Sequence, residues 1–147
     1  MSWRELLDRK DVQRHKTSKH ELDDLRRLIA RDLADAALDG LSADRSFATA
    51  YNAARQTVSM AVACAGYRVT GRTGHHRISL ECAQLALGSA ATAYVDYFEI
   101  CRRKRNAIDY SHSQVATASE AKEMLSKARD FFQLVENWIA RNYPALR

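Results

Sequence analysis

From Leu22 to Leu33 the apolar residues Leu22, Leu25, Leu28, Ile29 and Leu33 recur at steps of three and four, the spacing that aligns side chains on one face of an α-helix. Ser18 stands ahead of this stripe with Glu21 three residues on, the order of a capping box, and Asp39-Gly40 supplies a stop. A second helix is capped by Ser42 and carries Phe47, Ala50, Tyr51, Ala54, Val58, Val62 and Ala65 to a stop near Gly66. Small residues on that face admit close helix packing. Tyr67 to Gly74 is rich in Gly and Thr and is expected to be a loop.

A shorter helix is expected from about His76 to Leu87, with Ile78, Leu80, Ala83 and Leu87 inward, before Gly88-Ser89 bends the chain. The next runs through Tyr94, Tyr97, Phe98, Ile100 and Cys101 to about Asp109, and the polar stretch Ser111 to Thr117 follows it. A last helix, capped at Thr117 or Ser119, buries Ala121, Leu125, Ala128, Phe132, Val135, Trp138 and Ile139 and ends at Pro144. The pattern predicts an all-α fold, a compact up-and-down bundle of four to five helices formed by residues 17–147. Residues 1–16 precede it as an N-terminal extension in which Trp3, Leu6, Leu7 and Val12 stand among charges, as in a short amphipathic helix or a docking arm.

Composition supports that class. Five Gly and one Pro are too few for the many turns of an all-β chain of 147 residues, and 46 % apolar content is enough for one core. Cys64, Cys82 and Cys101 lie far apart, without the spacing of a zinc site or a disulfide framework, so no metal and no cofactor is expected. The start lacks an apolar signal core and no segment reaches membrane-span length, which makes a cytoplasmic protein with no membrane partner the expectation. The net charge of +5 allows attraction to polyanions without naming one.

The sequence around Arg102-Arg103-Lys104-Arg105 is the most informative. At 100° per residue Arg102, Arg105, Asp109 and His112 share one narrow helix face. Arg grips phosphate with a planar fork and His exchanges protons near neutral pH, a pairing suited to cleaving a phosphodiester through its own 2′-hydroxyl. The plainer reading is a basic helix end that complements the helix dipole, with Arg105 and Asp109 as an i,i+4 ion pair and His112 in solvent.

Six residues separate Arg105 from His112, and Arg105-Asn106…His112 resembles the Arg-Asn…His signature of the HEPN superfamily. The segments Phe47-Ala48-x-Ala50-Tyr51-Asn52-x-Ala54-Arg55, Ala65-Gly66-Tyr67-Arg68, Gly74-His75-His76 and Tyr97-Phe98-x-x-Cys101 to Asn106 with Asp109-Tyr110 are similar, in order and spacing, to small bacterial HEPN proteins. The resemblance implies a helical bundle that forms a homodimer with the two Arg-Asn motifs facing each other. It also implies a metal-independent endoribonuclease, toxin-like and paired with a minimal nucleotidyltransferase antitoxin, or else a non-catalytic module that binds RNA or nucleotide. On the nuclease reading Arg105 holds the scissile phosphate, Asn106 orients the Arg or the helix end, and His112 acts on the 2′-hydroxyl or the leaving oxygen. Tyr110 stands at the family's shorter, common spacing in place of a His, and a site built on it favours binding without cleavage.

Arg102, Asp109, Tyr110, Arg68, His75 and His76 are the accompanying candidates for substrate contact. For His75 and His76 the alternative is an ordinary helix start, and for Arg68 and Arg72 solvated loop charge. Tyr94, Tyr97 and Phe98 either stack bases or, more in keeping with their helical spacing, fill the core or a dimer interface. A purely structural helical dimer is the third functional class.

Overall fold

Side-chain caps set the helix starts. A computed structural model describes residues 1–71, 74–110 and 114–147, the side chains of Asp109 and Tyr110 excepted. Helix α1 (Trp3–Asp8) begins behind Ser2, α2 (Lys19–Ala36) behind Ser18, α3 (Ala43–Cys64) behind Ser42 and α6 (Ala118–Asn142) behind Thr117. Each cap hydroxyl accepts the backbone N–H three residues on. Thr117 and Glu120 form the full reciprocal box, with the Glu120 carboxylate accepting the Thr117 N–H at 2.9 Å. At Ser18 only half of the expected box forms, because the Glu21 carboxylate turns instead to His15 and Thr17. Helices α4 (His75–Leu87) and α5 (Thr92–Tyr110) are joined by the 3₁₀ turn Gly88–Ala91.

Of the described residues 77 % are helical, so the all-α class stands, and α2 to α6 form the bundle. Helix α3 is its centre and packs on α2, α4, α5 and α6. Ala50, Ala53, Ala54 and Ala61 are buried on it, and their small side chains let neighbouring helices approach closely. Between α5 and α6 the core is aromatic: Phe98 meets Phe131 edge-on with centroids 5.1 Å apart, and Tyr94 lies 5.5 Å from Phe131. The Arg26 guanidinium on α2 donates to both Glu136 oxygens on α6 (3.0 to 3.1 Å) and to the Leu146 carbonyl (2.8 Å), tying α2, α6 and the C-terminal turn together.

Several details differ from the pattern-based expectation. Phe131, not Phe132, is the fully buried member of the aromatic pair on α6, and Phe132 and Trp138 are half-buried. Helix α2 ends at Ala36, ahead of Asp39-Gly40, because the Ser46 hydroxyl donates to the Ala36 carbonyl and closes the helix end. Leu28 is 37 % exposed and does not join the core. Tyr67–Val69, expected as loop, is a strand, β2, paired antiparallel with β1 (Val12–Arg14) in the register Val12↔Val69, Gln13↔Arg68, Arg14↔Tyr67.

The ladder gives residues 1–16 their place. Leu6 and Val12 are buried in the same core cluster as Leu22 and Phe47, and Trp3 stacks on Tyr67 at 4.1 Å with planes 6° apart. The N-terminal extension therefore docks on its own chain. Among the described residues no helix is long and apolar enough to cross a membrane.

Candidate functional site

Helix α3 turns Tyr51, Arg55 and Val58 toward the start of α4, and these line a small hollow with His76, Ser79, Leu80 and Phe98. Gly74 precedes α4 in the left-handed conformation (φ +83°), a backbone that a side chain would strain. His75 and His76 follow at once, their rings 3.9 Å apart. Burial pushes the His76 imidazole down to about 4, and the positive charges of Arg55, His75, Arg102 and Arg105 push in the same direction. Two helices, α3 and α5, thus bring guanidinium charge to bear on one neutral imidazole of α4. Burial likewise raises the nearby Tyr51 hydroxyl to about 12, against the opposing charges of Arg55 and Arg102.

The basic run on α5 is not a uniform patch. Arg102 Nε and Nη2 donate to the two Glu99 oxygens at 3.2 and 2.8 Å. Lys104 pairs with Glu120 and so ties α5 to the capping box of α6. Hydrogen bonds from Lys104, then from Thr117, hold the Glu120 carboxyl down at about 2. Arg103 and Asn106 are exposed, and Arg105 is half-buried. Arg102 and Arg105 of this run add their charge at His76.

A larger cavity, about 450 Å³, continues from this hollow and shares Arg55, Val58, His76 and Ser79 with it. Its walls come from α2, α3, β2 and the first turn of α4, and Arg68, the ladder partner of Gln13, is part of them together with His75. His15 enters from the end of β1, its Nε2 at 2.8 Å from one Glu21 oxygen and 3.0 Å from the other.

His75 and His76 thus stand side by side within reach of the charges of Arg102 and Arg105, and Arg68 lies on the adjoining cavity. Asn106 is on α5 in solvent. The side chains of Asp109 and Tyr110, and His112 with Arg72, lie outside the described residues. Phe98 is in the core, with Tyr94 and Tyr97 packed against it, not offered to a base. Cys64, Cys82 and Cys101 are buried, and burial raises their thiols to about 11, 12 and 11, which leaves them un-ionised at neutral pH. No three His, Cys, Asp or Glu side chains gather to hold a metal ion among the described residues.

Sequence reasoning gave Arg55, His15 and Glu21 no part in a site: Arg55 stood only in a segment of the resemblance and Glu21 only in a helix cap. Arg55 had a signal: it breaks the small-apolar face of α3, one turn after Tyr51 and just before Val58. His15 and Glu21 had none beyond the cap, because their meeting depends on the turn between β1 and α2. Comparison of the chain with protein-family models, with curated proteins and with solved structures gives no match.

The depressed His76 pKa has a consequence for stability. Unfolded histidine titrates near 6.5, so the stability due to neutral His76 is complete above that pH and is lost as pH falls toward about 4, where the folded form protonates. The urea midpoint of the wild type is expected to decline between pH 6.5 and 4.5 more steeply than that of His76→Gln. Parallel slopes for the two proteins would contradict the assignment.

Proposed function

We propose that this protein is a HEPN-type, metal-independent endoribonuclease that cleaves RNA by attack of the 2′-hydroxyl. The observation that carries the reading is the positive charge of Arg55, Arg102 and Arg105 acting at His76, in a chain whose sequence holds the Arg105-Asn106…His112 motif. Clustered guanidinium groups suit the phosphate of a polyanion and the charge that develops on it during cleavage. In this reading Arg105 holds the scissile phosphate, Asn106 orients the helix end, and His112 moves the proton of the 2′-hydroxyl or of the leaving oxygen. His76, neutral at pH 7, serves as a hydrogen-bond acceptor. The active form is a homodimer whose two Arg105 side chains face each other across a two-fold axis, and the regulating partner is an antitoxin of the minimal nucleotidyltransferase class.

Tyr110, at the shorter motif spacing, favours a second reading, a module that binds RNA or nucleotide through the same cationic groups without cutting. One assay separates the two. Incubated with single-stranded RNA in EDTA, the nuclease yields fragments ending in 2′,3′-cyclic phosphate, and His112→Ala abolishes them. Intact RNA that remains bound at low salt, equally by wild type and His112→Ala, selects the binding module.

A further inference from the structure

Helices α2 and α3 face each other across the 450 Å³ cavity with matching stripes. From α2 come Glu21, Asp24, Leu25 and Leu28, at helical steps of three and four, and from α3 come Arg55, Val58, Ser59 and Val62. The short side chains of Ser59, Ala63 and Ser79 leave the space open. Leu25 is half-buried and Leu28 37 % exposed, so the cavity has an apolar floor that no side chain of the bundle covers fully. Its size is within the range of about 300–1,000 Å³ typical of small-ligand pockets.

Arg55 belongs to both the cavity and the cationic hollow, whereas two carboxylates, Glu21 and Asp24, stand on the α2 wall. Glu21 is accompanied there by His15 and Arg68, and Asp24 is paired with Arg27, so Glu21 is the acceptor the cavity offers. A ligand that satisfies this arrangement is anionic at the Arg55 end, flat and apolar in the middle, and a hydrogen-bond donor at the α2 end. We propose that the cavity holds the base and ribose of one nucleotide, with its phosphate at Arg55, and prefers bases that carry an exocyclic amino group. This rests on the cationic groups around His76 being a phosphate site, and it adds the identity of the neighbouring nucleotide.

Carboxylates are acceptors only, so they pair with the exocyclic amino group of adenine, cytosine or guanine, whereas uracil offers only an N3–H flanked by two carbonyls that the carboxylate repels. Burial pushes the Glu21 carboxyl up, but hydrogen bonds from His15 and Thr17 and the charges of His15 and Arg68 more than offset it, leaving it below its ordinary value and ionised at neutral pH. The same two hydrogen bonds, His15 Nε2 at 2.8 Å and Thr17 Oγ1 at 2.9 Å, fix its orientation. The second oxygen lies 3.0 Å from the same Nε2 and, having two lone pairs, can accept one further donor.

Calorimetric titration of the full chain with AMP, CMP, UMP and inorganic phosphate tests the proposal. AMP and CMP are expected to bind about tenfold or more tightly than UMP and phosphate, the gain of a hydrogen bond to a charged acceptor. Ser59→Trp, which fills the cavity from an exposed position on α3, is expected to reduce AMP binding to the level of phosphate while phosphate binding persists. Glu21→Gln is expected to erase the preference over UMP without removing phosphate binding, and it serves if the larger side chain disturbs folding. AMP binding no tighter than phosphate, or unchanged by both substitutions, overturns the nucleotide pocket. If RNA is still bound or cut in that case, the cationic site stands without it; if AMP is bound and displaced by Ser59→Trp while RNA is neither bound nor cut, the nuclease reading falls and the pocket stands.

Discussion

Arg105→Ala is expected to lower RNA cleavage by about a hundredfold to a thousandfold, the scale of removing one preorganised donor from a developing anionic charge. Arg105 is half-buried on α5, where the surrounding bundle reduces solvent screening, and its charge is felt at His76 across the gap to α4. The neighbouring cations do not reproduce its geometry: Arg102 is oriented by Glu99, and Lys104 by Glu120. Arg105→Lys keeps the charge without the two-pronged donor geometry, so it is expected to restore RNA binding but only part of the rate. The salt dependence of binding gives a second measure, since loss of one phosphate contact lowers the slope of log K against log salt by about one. A variant with wild-type cleavage and an unchanged slope would remove Arg105 from the site.

Phe131→Ala is expected to cost about 3–5 kcal/mol, the range for emptying a buried aromatic position. Phe131 is 0 % exposed and holds both Phe98 and Tyr94 against α6. Against a total stability of about 5–15 kcal/mol for a domain of this kind, that loss brings the bundle close to unfolding at 37 °C. Phe132→Ala, at the half-buried neighbour, is expected to cost much less. Urea denaturation followed by circular dichroism separates the two, and equal midpoints for both variants would contradict the packing described for α6. Because Phe98 and Arg102 ride on the same helix, the first substitution also loosens the support of the site, so RNA binding is expected to weaken with stability.

The difference between Phe131 and Phe132 shows how far a pattern of apolar residues can be read. Two adjacent aromatics are both compatible with a stripe that drifts at 3.6 residues per turn, and only the position of α5 selects one. The caps at Ser18, Ser42 and Thr117 were legible because a cap is a local interaction, completed within three residues. The β1–β2 pair was not, since each strand is three residues long and its partner is remote in sequence. The candidate site divides the same way. Arg102, Arg105, His75 and His76 stand out in continuous motifs, whereas Arg55, Glu21 and His15 matter through the crossing of α2 with α3 and the return of the chain from β1. Such meetings are properties of tertiary geometry.

That strand pair also makes one wall of the cavity a long-range property of the chain. Val12 and Val69 are remote in sequence, so their pairing carries a loop-closure cost that the burial of Leu6 and Val12 in the common core offsets. The wall supplied by His15 and Arg68 hangs on the same ladder, so a substitution that uncovers Val12 is expected to reach the cavity without touching its lining.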